Sequence, residues 1–271
     1  MKPRIVIAAV SILFIILIAG FFFWRGREAA RPPKIAKRKA AKVTAPVSGA
    51  LRRAKVAIVM DDFGYNMNDF DALFSINEPI TLSVLPGLKY SKPIAEYASG
   101  RGYEVILHLP LEPHRKDVKA ETDTIRSGMA ETEIASRLAK EIENVPHLSG
   151  VSNHMGSKST EDKELMAAIF KYLKKRRLYF FDSLTSERSV CREAAEGAGL
   201  KYARRDVFLD NTDRCEYVEK QLAALEKMAL KRGRAIAVCH DRKNTIAALA
   251  KMMPGMAKDG IEFVTLSDMV R

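Results

Sequence analysis

Apolar and polar residues alternate along residues 55–271 in blocks that predict strands and helices in turn. The first block is residues 56–60, five apolar residues in a row, followed directly by Asp61 and Asp62. A continuous apolar run of this length is typical of a strand buried on both faces, as in a parallel sheet covered by helices. Because unpaired carboxylates are costly to bury, two of them after such a strand favour a functional site over a simple turn cap.

Seven further apolar runs predict strands, at residues 80–86, 103–108, 150–154, 178–182, 201–210, 235–240 and 262–266. Apolar residues at helical spacing predict helices at residues 91–99, 131–144, 163–175, 190–198, 217–231 and 245–253. About eight strands alternating with helices predict an α/β fold, a complete or irregular (β/α) barrel of parallel strands.

Polar side chains end most of these strands, and they are Asp61, Asp62, His108, Asn153, His154, Asp182, Asp210 and His240. The carboxyl ends of parallel strands meet at one edge, so we expect these side chains to share one face. A single histidine after a strand is usually structural, but three of them beside paired aspartates favour a metal site. Imidazole and carboxylate groups suit Zn, Ni, Co or Mn, and three protein ligands leave a position open for a water that the metal acidifies.

Four short motifs carry most of these groups: VMDDFG at residues 59–64, HLPLEP at 108–113, NHMGS at 153–157 and FDS at 181–183. Together with the late His240, they resemble the divergent polysaccharide deacetylases, relatives of the NodB-type chitooligosaccharide deacetylases. The resemblance covers residues 55–271. It implies an irregular (β/α) barrel of the glycoside hydrolase/deacetylase type and metal-dependent removal of acetyl groups from amino sugars.

The resemblance also implies roles for individual residues. Asp61 corresponds to the catalytic base, Asp62 to a metal ligand and His240 to the catalytic acid. The expected cofactor is one divalent transition metal, with Zn first and Co, Ni or Mn as alternatives.

The chain departs from the family at the metal motif, which has two histidines four residues apart. Here Glu112 stands four residues after His108. Four residues of extended chain span roughly 13 Å, too far for both to bind one ion unless Pro110 turns the chain back. We therefore predict His154 as the third ligand beside Asp62 and His108, with Glu112 as the alternative. The groups expected to contact the sugar substrate are Glu112, Asn153 and Asp182.

The sequence therefore leaves two alternative functions that belong to different classes. The first is a metal-dependent carbohydrate esterase that removes N- or O-acetyl groups from a cell-envelope polysaccharide. The alternative, favoured by the missing second histidine, is a catalytically silent module that binds envelope glycan or a protein partner. Bound metal discriminates between them, because the esterase requires an ion.

The first 54 residues differ from the rest of the chain. Residues 5–24 contain no charge and are long enough to span a bilayer as a helix. Their bulky aromatic end favours an uncleaved anchor over a cleaved signal peptide. The composition therefore predicts a transmembrane anchor at residues 1–24, a basic Pro/Ala/Lys-rich linker at 25–54 and a deacetylase-like domain at 55–271.

Charge bears on partners and location. The formal net charge is +12, but residues 1–55 hold 13 of the 45 basic residues and one of the 33 acids, so the remainder is neutral. A nucleic-acid partner is therefore not expected. The charge around the anchor favours a cytoplasmic domain, although long domains cross membranes regardless of charge. The implied glycan chemistry favours the bacterial inner membrane, with the domain periplasmic or extracellular. Cys239 is predicted to lie in the core, and a Cys191–Cys215 bridge stays open.

Overall fold

The computed structural model describes residues 53–117 and 121–271, in which strands and helices alternate as the sequence predicts. The strands are β1 (Ala54–Phe63), β2 (Thr81–Val84), β3 (Glu104–Leu111), β4 (Gly150–Met155), β5 (Tyr179–Asp182), β6 (Tyr202–Arg204), β7 (Val207–Phe208), β8 (Arg234–His240) and β9 (Ile261–Phe263). The α-helices are α1 (Phe70–Phe74), α2 (Ser91–Gly100), α3 (Glu131–Asn144), α4 (Lys163–Lys175), α5 (Cys191–Ala198), α6 (Cys215–Arg232) and α7 (Lys243–Lys258).

The strands form one parallel sheet with the order β6-β5-β4-β3-β2-β1-β8-β7. Strand β8 occupies one edge of β1 from Lys55 to Asp61. On the other edge, β9 pairs with the start of β1 and β2 with its end, so β1 lies at the centre of the fold. The sheet is curled into an open half-barrel, which agrees with the irregular form of the predicted barrel.

Residues 201–210, predicted as one strand, form the two outermost strands β6 and β7 instead. The backbone N–H of Arg205 donates to the carbonyl of Asp182 on β5 (3.0 Å), whereas that of Asp206 donates to Ile236 on β8 (2.8 Å). The chain thus leaves one edge of the sheet and joins the other within two residues. The prediction of about eight strands is corrected to nine in the described residues. We call the gap between β6 and β8, which Arg205 and Asp206 cross, the seam.

Alternate residues of each strand line the inside of the curled sheet, because side chains in a strand point to opposite faces in turn. On β1, the buried Ala57 and Val59 precede Asp61 on this face. On β8, Val238 precedes His240. The interior is therefore apolar in its middle layer and polar at the carboxyl ends of the strands.

The other face of the sheet is covered by helices. Val56, Ile58 and Met60 on β1 are fully buried in the same cluster as Leu138 of α3 and Ile169 of α4. Burial of this kind contributes about 25 cal/mol for each Å² of apolar surface. This packing fixes β1 in place and with it the position of the two aspartates at its end.

The described residues contain no helix long and apolar enough to cross a membrane. The predicted anchor at residues 1–24 and nearly all of the predicted linker at 25–54 lie outside the described residues. All three cysteines are free, so the Cys191–Cys215 bridge that the sequence left open is not formed. Cys239 is buried in the core, as predicted.

Candidate active site

A β-bulge at the end of β1 brings Asp61 and Asp62 to the same site. The pairing with β2 runs through Met60↔Leu82 and resumes at Phe63↔Val84, so β1 contains one extra residue here. Asp62 adopts the left-handed region with φ +69°. Simple alternation would turn the two carboxylates to opposite faces of the sheet. A bulge re-aims a side chain, and aspartate tolerates a positive φ better than most residues.

Asp62 lies at the centre of the group predicted to bind metal. Its Oδ1 atom is 3.3 Å from His108 Nε2 and 3.1 Å from His154 Nδ1. The imidazole rings of the two histidines are 4.9 Å apart at an interplanar angle of 71°. Ligand atoms of all three residues lie within 4.8 Å of one another. The structure thus brings together the three residues that the sequence predicted as metal ligands.

The same Oδ1 atom is buried and has no hydrogen-bond partner, although two imidazole nitrogens lie close to it. Burial opposes ionisation of Asp62, but the adjacent His108 and His154 outweigh burial and hold the pKa of Asp62 well below its usual range. A carboxylate with a lowered pKa and an unsatisfied buried oxygen is costly unless a cation binds it. Two imidazoles and one carboxylate are a ligand set that divalent transition metals use. The residues present therefore fit a metal ion.

Two serine hydroxyl groups form a hydrogen-bonded chain that ends on Nδ1 of His108 and orients its imidazole ring. The Nδ1 atom of His108 lies 2.8 Å from Ser152 Oγ, which in turn lies 2.8 Å from Ser83 Oγ. Register explains the first contact, because His108 on β3 is paired directly with Ser152 on β4. If Nδ1–H donates to Ser152, the lone pair of Nε2 faces Asp62 and the metal position.

Asp61 differs from its neighbour in both exposure and the direction of its pKa shift. It is 3% exposed, and its Oδ1 has no hydrogen-bond partner and lies 3.6 Å from His108 Nδ1. Burial raises the pKa of Asp61 above its usual value, with the charge of His108 opposing the shift and that of Asp62 adding to it. Asp61 is thus a carboxyl group with a high affinity for a proton.

His240 faces these aspartates from β8 and is held by Asp210. Its Cα is paired in register with that of Asp61. Its Nδ1 lies 3.0 Å from Asp210 Oδ1, and its Nε2 points back to Asp62 Oδ2 at 3.6 Å. Burial lowers the pKa of His240, but the hydrogen bond and charge of Asp210 more than offset burial, so the pKa lies above the usual value. Nδ1 is thereby engaged, and Nε2 is left to face the site.

Asp210 itself was noted in the sequence as a strand-end acid, but its role was not predicted. Its buried carboxylate also accepts hydrogen bonds from the backbone N–H of His240 (2.8 Å) and the hydroxyl of Thr245 (2.9 Å). These contacts fix the carboxylate beside the imidazole. The signal was its position after a predicted strand, but the sequence does not show which histidine it would meet.

Arg205 was not singled out in the sequence, yet its charge acts on the site. Its guanidinium donates to the carbonyls of Ser183 (2.7 Å) and Leu184 (3.0 Å). Burial lowers the pKa of Arg205, and the negative charges of Asp182 and Asp61 oppose this shift. Arg205 lies near the site because the chain crosses the seam at this residue. This crossing cannot be recognised from the pattern of apolar residues in the sequence.

The three residues predicted to contact the sugar, Glu112, Asn153 and Asp182, each have hydrogen-bond partners within the protein. Asn153 Oδ1 accepts from the N–H of Ser183 (2.9 Å), while its amide donates to the carbonyl of Met155 (2.8 Å). The carboxylate of Asp182 is fully buried and accepts the hydrogen bonds of Leu184 N–H, Ser189 and Tyr202. With their polar atoms already paired, Asn153 and Asp182 hold the loops after β4 and β5.

Glu112 also lies apart from the metal ligands. Its Oε1 pairs with Lys158 Nζ at 3.0 Å, and its Oε2 accepts from the N–H of Ser127 at 3.1 Å. Pro110 continues β3 rather than turning the chain back, because it is paired with His154 in the parallel register. Glu112 therefore does not join the group of His108 and Asp62.

Residues 58–270 match the family described as divergent polysaccharide deacetylase. The chain belongs to this family. The resemblance identified from the four motifs is thereby confirmed.

Relatives and solved structures extend the comparison. A Haemophilus influenzae protein described as uncharacterized is 31% identical over 224 residues, which cover 83% of this chain and 79% of that relative. The crystal structure of uncharacterized protein ATU2773 from Agrobacterium tumefaciens C58 is 26% identical, with a TM-score of 0.77, and the match covers 83% of this chain and 92% of that chain.

More distant structures share the fold alone. One is the Bc1960 peptidoglycan N-acetylglucosamine deacetylase, at 15% identity and a TM-score of 0.51, with 82% of this chain and 90% of that chain covered. Another is a mutant of BA3943, described as a CE4 family pseudoenzyme with restored enzymatic activity, at 14% identity and a TM-score of 0.51, covering 80% and 67%. The fold thus occurs in both a deacetylase and a pseudoenzyme.

Proposed function

We propose that this protein is a metal-dependent carbohydrate esterase that removes acetyl groups from a cell-envelope polysaccharide. The observation that carries the proposal is the convergence of Asp62, His108 and His154 within 4.8 Å of one another. Beside them lie a proton acceptor, Asp61, and a proton donor, His240. A buried site that combines these groups suits hydrolysis better than binding alone.

The metal would be held by Asp62 Oδ1, His108 Nε2 and His154 Nδ1, the atoms that face one another. When bound, a divalent ion lowers the pKa of a water ligand and polarises the acetyl carbonyl. Zinc is the first choice for two imidazoles and one carboxylate, and Co, Ni and Mn remain alternatives. Ser152 would keep His108 in the tautomer that ligation needs.

Asp61 acts in this proposal as the general base. Its carboxylate sits next to the ligand Asp62 and has one buried oxygen without a partner, so it is free to accept a proton from the attacking water. The raised pKa of Asp61 increases its proton affinity, which is useful in a base once a cation nearby keeps it ionised at rest.

His240 acts as the general acid. Its Nε2 faces the site and carries the proton that the leaving amine of the sugar requires, or the leaving hydroxyl if the ester is O-linked. Asp210 holds the ring by Nδ1 and stabilises the protonated form, since it raises the pKa of His240 against burial. The pair is therefore oriented for donation from Nε2.

The location of the enzyme is also a proposal. The uncharged residues 5–24 would anchor the chain in the bacterial inner membrane, and a polysaccharide substrate would require the domain outside the cytoplasm. Reporter fusions after residue 60 test this orientation. Activity of a cytoplasmic reporter alone would reverse it.

The function is tested by measuring acetate released from oligomers of N-acetylglucosamine by the purified full chain supplied with Zn, Co, Ni or Mn. We expect release that depends on added metal and stops with a chelator. If no ion supports release from N- or O-acetylated oligomers, the alternative takes its place, namely a catalytically silent module that binds envelope glycan or a protein partner. Glycan binding without turnover would support that alternative.

A further inference from the structure

A second polar pocket lies on the seam, away from the candidate active site. It has a volume of about 270 Å³, and its lining includes the guanidinium-bearing residues Arg192, Arg204, Arg234 and Arg271. Arg234 begins β8 and His240 ends it, a separation of roughly 20 Å along an extended strand. The pocket therefore belongs to a different part of the half-barrel from the metal group.

The seam explains how four arginines come to share one pocket. Strand β6 carries Arg204, β8 begins with Arg234, and the two strands are not paired with each other in the described sheet. The backbone of Arg271 pairs with Tyr202 beside the gap (N···O 2.9 and 3.2 Å), and Arg192 lies over the ring of Tyr202 at 5.6 Å. Four separate segments of the chain thus each contribute one guanidinium group.

The guanidinium groups of this pocket are not paired with acidic side chains in the described part of the chain. None of its four arginines forms an ion pair with a carboxylate of the described residues. The one acidic side chain in the lining, Asp206, is occupied by the backbone N–H of Ile236 (2.9 Å) and by Arg232 outside the pocket (3.5 Å). Since the residues after position 55 carry equal numbers of acids and bases, this local excess is a distinct feature.

The other charges in the pocket affect the pKa of Arg234. Its guanidinium is half-buried and donates to the carbonyl of Met269. Burial lowers the pKa of Arg234, and the charge of Arg271 lowers it further, with Asp206 opposing the shift. An anion in the pocket would relieve this repulsion, because guanidinium groups bind oxyanions through paired N–H donors.

We propose that the seam pocket binds a phosphate group through Arg192, Arg204, Arg234 and Arg271. Phosphate fits better than a carboxylate, because several guanidinium groups face one cavity and phosphate offers more oxygens and up to two negative charges. The group has two sources of the same chemistry, a free phosphate monoester or inorganic ion, and the phosphodiester headgroup of an anionic lipid. The inference is independent of the deacetylase proposal.

Isothermal titration of the full chain with inorganic phosphate and with glycerophosphoglycerol, a soluble diester headgroup, tests the proposal and distinguishes the sources. The double variant Arg204→Ala/Arg271→Ala removes two donors from residues whose fold contacts are made by the backbone. We expect its affinity for the bound probe to fall about tenfold or more, as for loss of charge-assisted hydrogen bonds. Binding of phosphate assigns the free ion or monoester, and binding of the diester alone assigns the lipid headgroup.

The matched control is Arg126→Ala/Lys220→Ala, which removes the same charge from exposed residues elsewhere. We expect its affinity to stay within about twofold of the parent, since long-range charge is screened at moderate salt. The proposal is overturned if neither probe binds the parent, if the seam variant binds as tightly as the parent, or if the control loses as much affinity as the seam variant. Acetate release by the same variants reports separately on the proposed esterase.

Discussion

Asp61 and Asp62 are adjacent in the chain, yet their environments move the pKa values of their carboxyl groups in opposite directions. Burial raises the pKa of Asp61, whereas His108 and His154 lower that of Asp62. A pair of carboxyl groups separated in this way has one member suited to hold a cation and one suited to move a proton. These contacts support the proposed division of roles, with Asp62 as ligand and Asp61 as base.

Replacement of Asp61 tests the role of base. Asp61→Asn preserves the size of the side chain but removes its proton affinity, and Asp61 is not among the proposed ligands. We expect bound metal to be unchanged and kcat to fall by about 10²–10⁴-fold, the usual contribution of a general base. Acetate release and metal content are measured on the same preparation. Turnover equal to that of the parent would remove Asp61 from the mechanism.

Asp210 is expected to act on catalysis through His240. The general acid must be protonated, so activity falls as pH rises through the pKa of His240. Asp210 raises that pKa, and Asp210→Asn should therefore move the alkaline limb of the kcat/KM profile to lower pH. Metal content serves as the control and should not change. An alkaline limb at the parent's position would contradict the proposed pairing.

At the level of single residues, the sequence predicts which side chains gather at the strand ends but not how they are oriented. Alternation along β1 and β8 predicts Asp61 and His240 on the inner face. Strict alternation would place Asp62 on the opposite face, but the bulge with φ +69° turns it inward. Asn153 and Asp182 end their strands as predicted, but neighbouring loops use their hydrogen bonds. These hydrogen bonds depend on tertiary contacts that cannot be recognised from a single sequence.

Gly64 allows the chain to turn directly after the bulge at the end of β1. It has φ +134°, and an added Cβ would lie 2.9 Å from Leu88 Cδ1 and 3.3 Å from the carbonyl oxygen of Leu85. L-residues rarely adopt this φ, and the carbonyl cannot move as a flexible side-chain end can. The turn after Asp62 therefore requires glycine for both conformation and space.

Gly64→Ala should lower the free energy of unfolding by about 1–3 kcal/mol. The matched control is Gly100→Ala at the end of α2, where an added Cβ meets nothing within 4 Å. The control should be neutral or stabilising by up to about 1 kcal/mol. Urea denaturation of both variants measures the difference. Equal stabilities would show that the bulge tolerates a side chain at position 64.

Long helices whose apolar residues recur at regular spacing were predicted well, whereas some short helices and strands were not. The long helices α3 and α4 match their predicted ranges, 131–144 and 163–175, because their apolar residues recur at helical spacing. The five-residue helix α1 (Phe70–Phe74) was not predicted. The split of residues 201–210 was missed because the crossing of Arg205 and Asp206 leaves the apolar pattern unbroken.

One buried carboxyl group couples the stability of the molecule to pH. Glu141 on α3 is 2% exposed, and neither carboxyl oxygen has a hydrogen-bond partner. Burial, and then the charge of Asp123, raise the pKa of Glu141 to about 8 from 4.5. Between these values the folded state holds a proton that the unfolded state has lost. The free energy of unfolding should therefore decrease as pH rises from about 5 to about 8.

Glu141→Gln keeps the shape of the protonated side chain and cannot ionise. The free energy of unfolding of this variant should decrease less over the same pH range than that of the parent. Near pH 8 the variant should be more stable than the parent. Urea denaturation at several pH values gives both curves. Because the other titrating groups are common to both proteins, parallel curves would mean that Glu141 titrates normally in the folded state.

For the whole molecule, the sequence predicts the fold class and the family, because four motifs and a strand–helix alternation extend over most of the chain. The open seam and its arginine pocket were not predicted, since they depend on which strands fail to pair. The anchor at residues 1–24 lies outside the described residues and stays a prediction. The proposed esterase activity depends most directly on the group formed by Asp62, His108 and His154.

The metal content of purified variants tests that group most directly. Parent, His108→Ala, His154→Ala and the exposed control His147→Ala are each equilibrated with Zn, desalted and analysed by elemental mass spectrometry. The account predicts about one equivalent of Zn in the parent and in His147→Ala, and loss of most of it in the other two variants, because affinity depends on ligand count. A full equivalent retained by His108→Ala or His154→Ala would contradict it.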